Sequence, residues 1–224
     1  IGGFIRDITE MKRTERELEL ALEQKQALLS ELQHRIKNTL MMISSMVSLE
    51  ASASREPVVK MELGNVKSRV ETLSNLYSIL YSSGNAKTVH LDLYFNTIVE
   101  SLLSAFMPVV KMIDVRRNFE TITVDTRRAS PMGLILNELI TNSIKYAFNE
   151  GRVNTLIIDL RHVNGEIECS VFDNGPGLPD DFDLERSTGF GLRLALMLAG
   201  QLKGRIGFER EAGTRFVVRA PMTA

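Results

Sequence analysis

The sequence predicts an α+β chain in two parts, an antiparallel helical hairpin followed by a two-layer α/β sandwich. Three observations carry this. Residues 10–83 repeat apolar side chains at helical spacing and contain one glycine, Gly64. Residues 84–224 alternate strand-like with helix-like stretches and hold most of the 15 glycines. Between the two parts stands Ser82-Ser83-Gly84-Asn85, a loop signal.

Residues 1–9, IGGFIRDIT, read as a short strand, and the start at Ile1-Gly2-Gly3-Phe4 suggests a fragment of a longer protein. Steps of three and four from Ile8 pass through Met11, Glu15, Leu18, Leu22, Lys25, Leu29, Leu32, Ile36, Thr39, Ile43 and Met46. All but Glu15, Lys25 and Thr39 are apolar, which describes a coiled-coil seam. A second series runs through Val59, Leu63, Val66, Val70, Leu73, Tyr77 and Leu80. The loop between them, residues 52–57, ends on Pro57, a residue suited to a helix start. A lone hairpin leaves its apolar stripes half covered, so two chains are expected to pair into a four-helix bundle, giving a homodimer. A helical spacer that merely dimerises accounts for this pattern equally well.

Residues 114–125 read as two strands around Asn118. The stretch 127–148 reads as one long helix with Pro131 in its first turn and Leu134, Ile135, Leu139, Ile140 and Ile144 on its buried side. Residues 154–163 and 166–172 are paired strands joined by the two-residue turn Asn164-Gly165. Residues 191–202 are helical, and 205–209 and 215–219 are strands around Gly213.

With 27 Lys plus Arg against 28 Asp plus Glu, the chain lacks the basic excess of a general nucleic-acid binder. One cysteine, Cys169, forms no internal disulfide and suits a reducing, cytoplasmic compartment. The three histidines, His34, His90 and His162, are scattered and without a CxxC, so zinc is poorly supplied. No apolar run is long enough to span a membrane, and no membrane contact is expected within this stretch of chain. GxxxxGK[ST], HExxH and GxSxG are absent.

Four short motifs could carry chemistry, and each alone has a plain structural reading. Asp173-Asn174-Gly175-Pro176-Gly177 puts a carboxylate at a strand end before a tight turn. Thr188-Gly189-Phe190-Gly191-Leu192 opens a helix, where free N–H groups and the positive dipole end suit phosphate. Glu138, Asn142 and Lys145 stand at i, i+4 and i+7, one helix face bearing a carboxylate, an amide oxygen and an ammonium. An amide oxygen suits magnesium, and an ammonium suits phosphate. Gly213-Thr214 precedes the last strand.

In this order the four motifs resemble the Bergerat-type ATP-binding fold shared by histidine kinases, gyrase, the Hsp90 chaperones and MutL. The resemblance implies ATP with Mg2+. It implies that Asn142 binds the metal, that Asp173 accepts from the adenine amine, and that Thr214 supports the adenine end. Gly175, Gly177, Gly189 and Gly191 would shape the lid and phosphate loop, Lys145 would face phosphate, and 179–188 would be a mobile lid. Upstream, Glu31-Leu32-Gln33-His34-Arg35-Ile36-Lys37-Asn38 resembles the phosphoacceptor box of histidine kinases with the second HisKA type of dimerisation domain. With Leu29 and Leu32 at a and d, His34 falls at f and points to water. Residues 2–10 resemble the exit of a PAS sensor domain.

The resemblance divides the chain into a PAS-like end at 1–9, a linker and dimerisation hairpin at 10–83 and a catalytic ATP-binding domain at 84–224. It implies a sensor histidine kinase of a two-component system. His34 would be phosphorylated from Mg-ATP, and a response regulator receiver domain would take the phosphoryl group. Many such kinases carry an acidic residue directly after the phosphoacceptor; Arg35 stands there instead, so Glu31 is the expected orienting base. Glu138 would organise water or metal near the γ-phosphate. The alternatives are an ATPase of the same fold that never phosphorylates itself, and a degenerate dimerisation scaffold.

Overall fold

The structure, a computed structural model, describes residues 9–82, 88–106, 113–148, 153–187 and 189–222. The strand expected over 1–9 lies outside these residues up to residue 8, and Thr9 already begins a helix.

Helix α1 runs Thr9–Ala53 and α2 runs Pro57–Ser82. They join through Ser54, whose hydroxyl accepts from the Glu56 N–H at 3.2 Å. Pro57 opens α2 as the sequence predicts, since a first-turn residue has no intrahelical partner for its N–H. The two helices pack along each other as a hairpin. The seam residues Leu18, Leu22, Leu32 and Met46 stay exposed. Toward its C-terminal end α2 enters the globular half: Thr72 and Leu76 are buried, and Leu76 belongs to the main core. No described helix is long and apolar enough to cross a membrane.

The globular half is α+β, as predicted. A five-stranded sheet takes the order β2 (Ile113–Phe119), β4 (Asn154–Val163), β5 (Glu166–Asp173), β7 (Gly213–Pro221), β6 (Arg205–Glu211). Only β2 and β4 pair in parallel. Alternation in the strands sends Leu156, Ile158, Leu160, Ile167, Cys169, Val171, Phe216 and Val218 into the core. The helices α3 (Leu91–Phe106), α4 (Thr126–Asn142) and α5 (Phe190–Gln201) contribute Phe95, Ile98, Ile135, Leu139, Ala195 and Leu198 to the same core. The sheet's other side is polar. There buried Asp159 accepts from Asn118 (2.8 Å), Ser170 (3.0 Å) and Arg215 (3.1 Å).

Several expectations need correction. Asn118 does not divide two paired strands: β2 continues through it to Phe119. The next strand, β3 (Thr123–Asp125), leaves to pair with β1 (Thr88–His90) in a separate ribbon. Asn118 stays in the ladder because its amide satisfies Asp159. Helix α4 starts before Arg127, because Asp125 caps it by accepting from the Arg127 N–H at 2.9 Å, and Pro131 therefore falls in the second turn. The long helix does not run to Phe148 in one form; residues Ser143–Ala147 make a π-helical turn. Of its predicted buried side, Leu134 is only half-buried while Ile135, Leu139, Ile140 and Ile144 are buried. Helix α3 was not legible in advance. The strand pair with the Asn164-Gly165 turn stands as predicted, both turn residues at positive φ (52° and 82°).

Candidate active site

The four motifs converge on one cleft of about 500 Å3. Its floor is the end of β5. Asp173 is buried, pairs across the ladder with Thr214, and accepts from the Ser143 hydroxyl at 2.8 Å and the Gly175 N–H at 3.0 Å. Two glycines make this possible. A Cβ on Gly213 would lie 1.9 Å from the Asp173 carbonyl oxygen, and its φ is +146°, so the chain can turn into β7 only without a side chain. A Cβ on Gly175 would lie 2.4 Å from the Ala147 Cβ. Gly177 lines the cleft with a positive φ of 83°.

The opposite end is the start of α5. Gly189 is its N-cap, in extended backbone and without a side-chain cap bond, so the N-cap residue itself leaves the first N–H groups of the helix uncapped. Gly191, in the first turn of α5, packs against α4: a Cβ there would come 2.5 Å from Glu138 Oε2 and 3.7 Å from Asn142 Oδ1. The expected ladder of Glu138, Asn142 and Lys145 lines the cleft. Thr188 lies outside the described residues. Of the lid, Pro179, Asp180, Asp181 and Asp183 are exposed, as expected for a solvated loop. Phe182 and Leu184 are drawn inward, Phe182 edge-on to Phe208 at 5.3 Å. Arg210 donates to the Pro179 carbonyl at 2.7 Å.

The third wall is one the sequence reading missed. Glu62, Asn65 and Arg69 of α2 line the cleft. Arg69 grips Glu138 with two parallel bonds, Nε to Oε1 at 2.7 Å and Nη2 to Oε2 at 2.8 Å. Their side chains are only 15% and 5% exposed, so this is a buried pair. Lys145 Nζ donates to Asn65 Oδ1. Asn137, the residue before Glu138 on α4, donates to Ser68 Oγ (2.7 Å) and Thr72 Oγ1 (2.8 Å). Arg69 also lies 4.8 Å over the Phe190 ring. Burial lowers the Lys145 pKa from its ordinary value; Glu62 and Glu138 pull it back up, and the Arg69 charge lowers it further. A signal for this wall was present: Glu62, Asn65 and Arg69 stand at i, i+3 and i+7, a polar ladder with the same order of carboxylate, amide and cation as that of α4, so the two match when the helices run antiparallel. Ser143 carried no comparable signal.

His34 is exposed on α1, in agreement with its f position, and is not among the cleft-lining residues. Glu31 accepts from Arg35 at 3.0 and 2.6 Å, an exposed ion pair one turn along α1.

Comparison with known proteins finds two family models along the chain. Residues 31–106 match the family described as histidine kinase, and residues 128–224 match the histidine kinase-, DNA gyrase B- and HSP90-like ATPase family. The chain belongs to the histidine kinases. Sensor histidine kinase PdtaS of Mycobacterium tuberculosis is 29% identical over 223 residues, 98% of this chain and 43% of that protein. Blue-light-activated histidine kinase 2 of Erythrobacter litoralis is 28% identical over 193 residues, 85% of this chain and 55% of that protein. The solved histidine kinase domain of the Erythrobacter litoralis EL346 blue-light activated kinase superposes with a TM-score of 0.66 at 26% identity. It covers 87% of this chain and 93% of that domain. The chain thus spans about half the length of these curated kinases, and apart from Glu62, Asn65 and Arg69 the cleft-lining residues fall within the segment that matches the ATPase family.

Proposed function

We propose that this chain is the catalytic portion of a sensor kinase that transfers the γ-phosphoryl of ATP to His34. The observation that carries the reading is a single cleft. It joins a buried carboxylate, Asp173, to a helix N-terminus opened by Gly189 and Gly191, on a chain whose hairpin exposes His34. Asp173 takes the adenine amine, with Ser143 and the Gly175 N–H fixing the carboxylate and Thr214 beside it. The N-terminus of α5 and Lys145 receive the phosphates.

The donor set fits magnesium. Glu138 and Asn142 put two oxygens around Gly191, where a Cβ would fill the space. Among the described residues no three His, Cys, Asp or Glu side chains form a metal cluster, so an ion here would draw other ligands from phosphate oxygens and water. Bound there, magnesium supplies charge neutralisation. Asn142 would hold it, and Glu138 would order water or metal at the γ-phosphate.

A His34 ring nitrogen attacks the γ-phosphorus in line, the N–P bond forms, and the bond to the leaving ADP oxygen breaks. Glu31, once Arg35 releases it, orients the ring and takes its proton. Positioning and charge neutralisation do most of the work in such transfers. The phosphoryl group then passes to an aspartate of a response regulator receiver domain. Pairing of two chains through the exposed seam residues of α1 supports a homodimer.

Incubation with γ-labelled ATP tests this. Wild type should acquire acid-labile label, and His34→Gln should acquire none while binding ATP as before. Label retained in His34→Gln, or phosphate release with no label in either protein, overturns the reading; the second result makes the chain an ATPase.

A further inference from the structure

We propose that α2 is a plug in the phosphate end of this cleft, one that a triphosphate must displace. The inference rests on the nucleotide reading above and adds a regulation to it.

The two polar ladders mate antiparallel. Arg69 takes both oxygens of Glu138, and Asn65 takes the ammonium of Lys145. Glu138 and Lys145 are the groups assigned to water or metal and to phosphate, so the helix occupies the partners the triphosphate needs. Asn137, bonded to Ser68 and Thr72, fixes the register of this contact from outside the cleft. The adenine end is untouched: Asp173, Ser143 and Gly175 bond among themselves.

In the docked arrangement His34 is also not among the residues that line the cleft. The cleft faces α2, and along the hairpin axis His34 lies about 10 Å farther from the turn than Arg69 does, at 1.5 Å per residue. Lifting α2 from Glu138 and Lys145 both admits the phosphates and frees the hairpin to shift relative to the cleft. By linkage, whatever moves the hairpin changes ATP affinity by the same factor that ATP changes the hairpin equilibrium.

The proposal makes a sign prediction. An arginine that merely attracted phosphate would, on removal, weaken ATP binding. A plug predicts the reverse. If the open form is about 1–10% populated, Arg69→Ala should tighten Mg-ATP binding about 10- to 100-fold. Adenosine, which has no phosphate to compete, should bind both proteins equally. Asn65→Ala removes only a neutral acceptor from the half-buried Lys145 ammonium and keeps the Arg69–Glu138 pair; it should shift ATP the same way by a smaller factor, so the test survives if Arg69→Ala fails to fold.

Calorimetric titration of the wild type and both variants with Mg-ATP and with adenosine reads this directly. A second reading is amide hydrogen exchange over residues 62–72 of the wild type, which should quicken when a non-hydrolysable ATP analogue is added. Unchanged or weaker ATP binding in both variants, with adenosine still bound, refutes the plug and leaves the nucleotide site standing. Failure of adenosine and ATP alike to bind any of the three proteins refutes the nucleotide site, and the plug with it.

Discussion

Asp173→Asn separates the ligand role of this carboxylate from its structural role. The residue is 5% exposed and accepts from Ser143 at 2.8 Å and Gly175 at 3.0 Å. Asparagine keeps the volume and one acceptor oxygen for the Gly175 N–H. Its amide then meets the Ser143 hydroxyl, which can rotate and accept instead. The fold therefore loses only the difference between a charged and a neutral bond, about 1 kcal/mol. The ligand loses more. An N–H2 turned toward the adenine amine sets donor against donor, so a bond to a charged acceptor, about 1.5–3 kcal/mol, is gone. ATP should bind about 10- to 150-fold more weakly. Guanine carries a carbonyl oxygen where adenine carries its amine, so wild type should reject GTP and the variant should narrow that gap. Titration calorimetry with ATP and GTP, beside a thermal melt of each protein, measures all of this. A variant that melts like wild type yet binds ATP within about threefold would show that the adenine does not sit on Asp173.

Gly213→Ala should be far more damaging to the fold than to any single contact. The new Cβ would meet the Asp173 carbonyl at 1.9 Å on a backbone with φ +146°, and a loss above about 3 kcal/mol, read as a lower urea midpoint or insolubility, is expected. Stability should also fall in alkali. Burial pushes the Cys169 thiol up to about 12, with Asp159 and Glu168 adding to the shift, and burial pushes the Tyr94 phenol up too. The unfolded chain releases these protons first. The stabilisation is therefore whole below about pH 9 and declines above it, at up to about 1.4 kcal/mol per pH unit for each group. Lys145, lowered by burial, opposes the trend, since the unfolded chain keeps its proton longer. Urea midpoints of wild type and Cys169→Ala between pH 8.5 and 10.5 should converge as pH rises; parallel curves would refute the assignment to Cys169.

What the sequence determined by itself is what the backbone demands locally. Gly213, Gly175 and Gly189 stand where a side chain would collide or where a helix must open bare, and those demands show as residue types at fixed spacing. The same holds for the i, i+4, i+7 ladder of α4 and the water-facing His34, since 3.6 residues per turn decides both. Only the tertiary structure decided how distant segments meet. Arg69 reaches a carboxylate 69 positions further along the chain, and Ser143 reaches Asp173 because a π turn carries α4 into the cleft. Those contacts depend on how α2, α4 and β5 pack on a shared core. Packing geometry leaves no periodic mark on any one segment, so it becomes visible only when the segments are brought together.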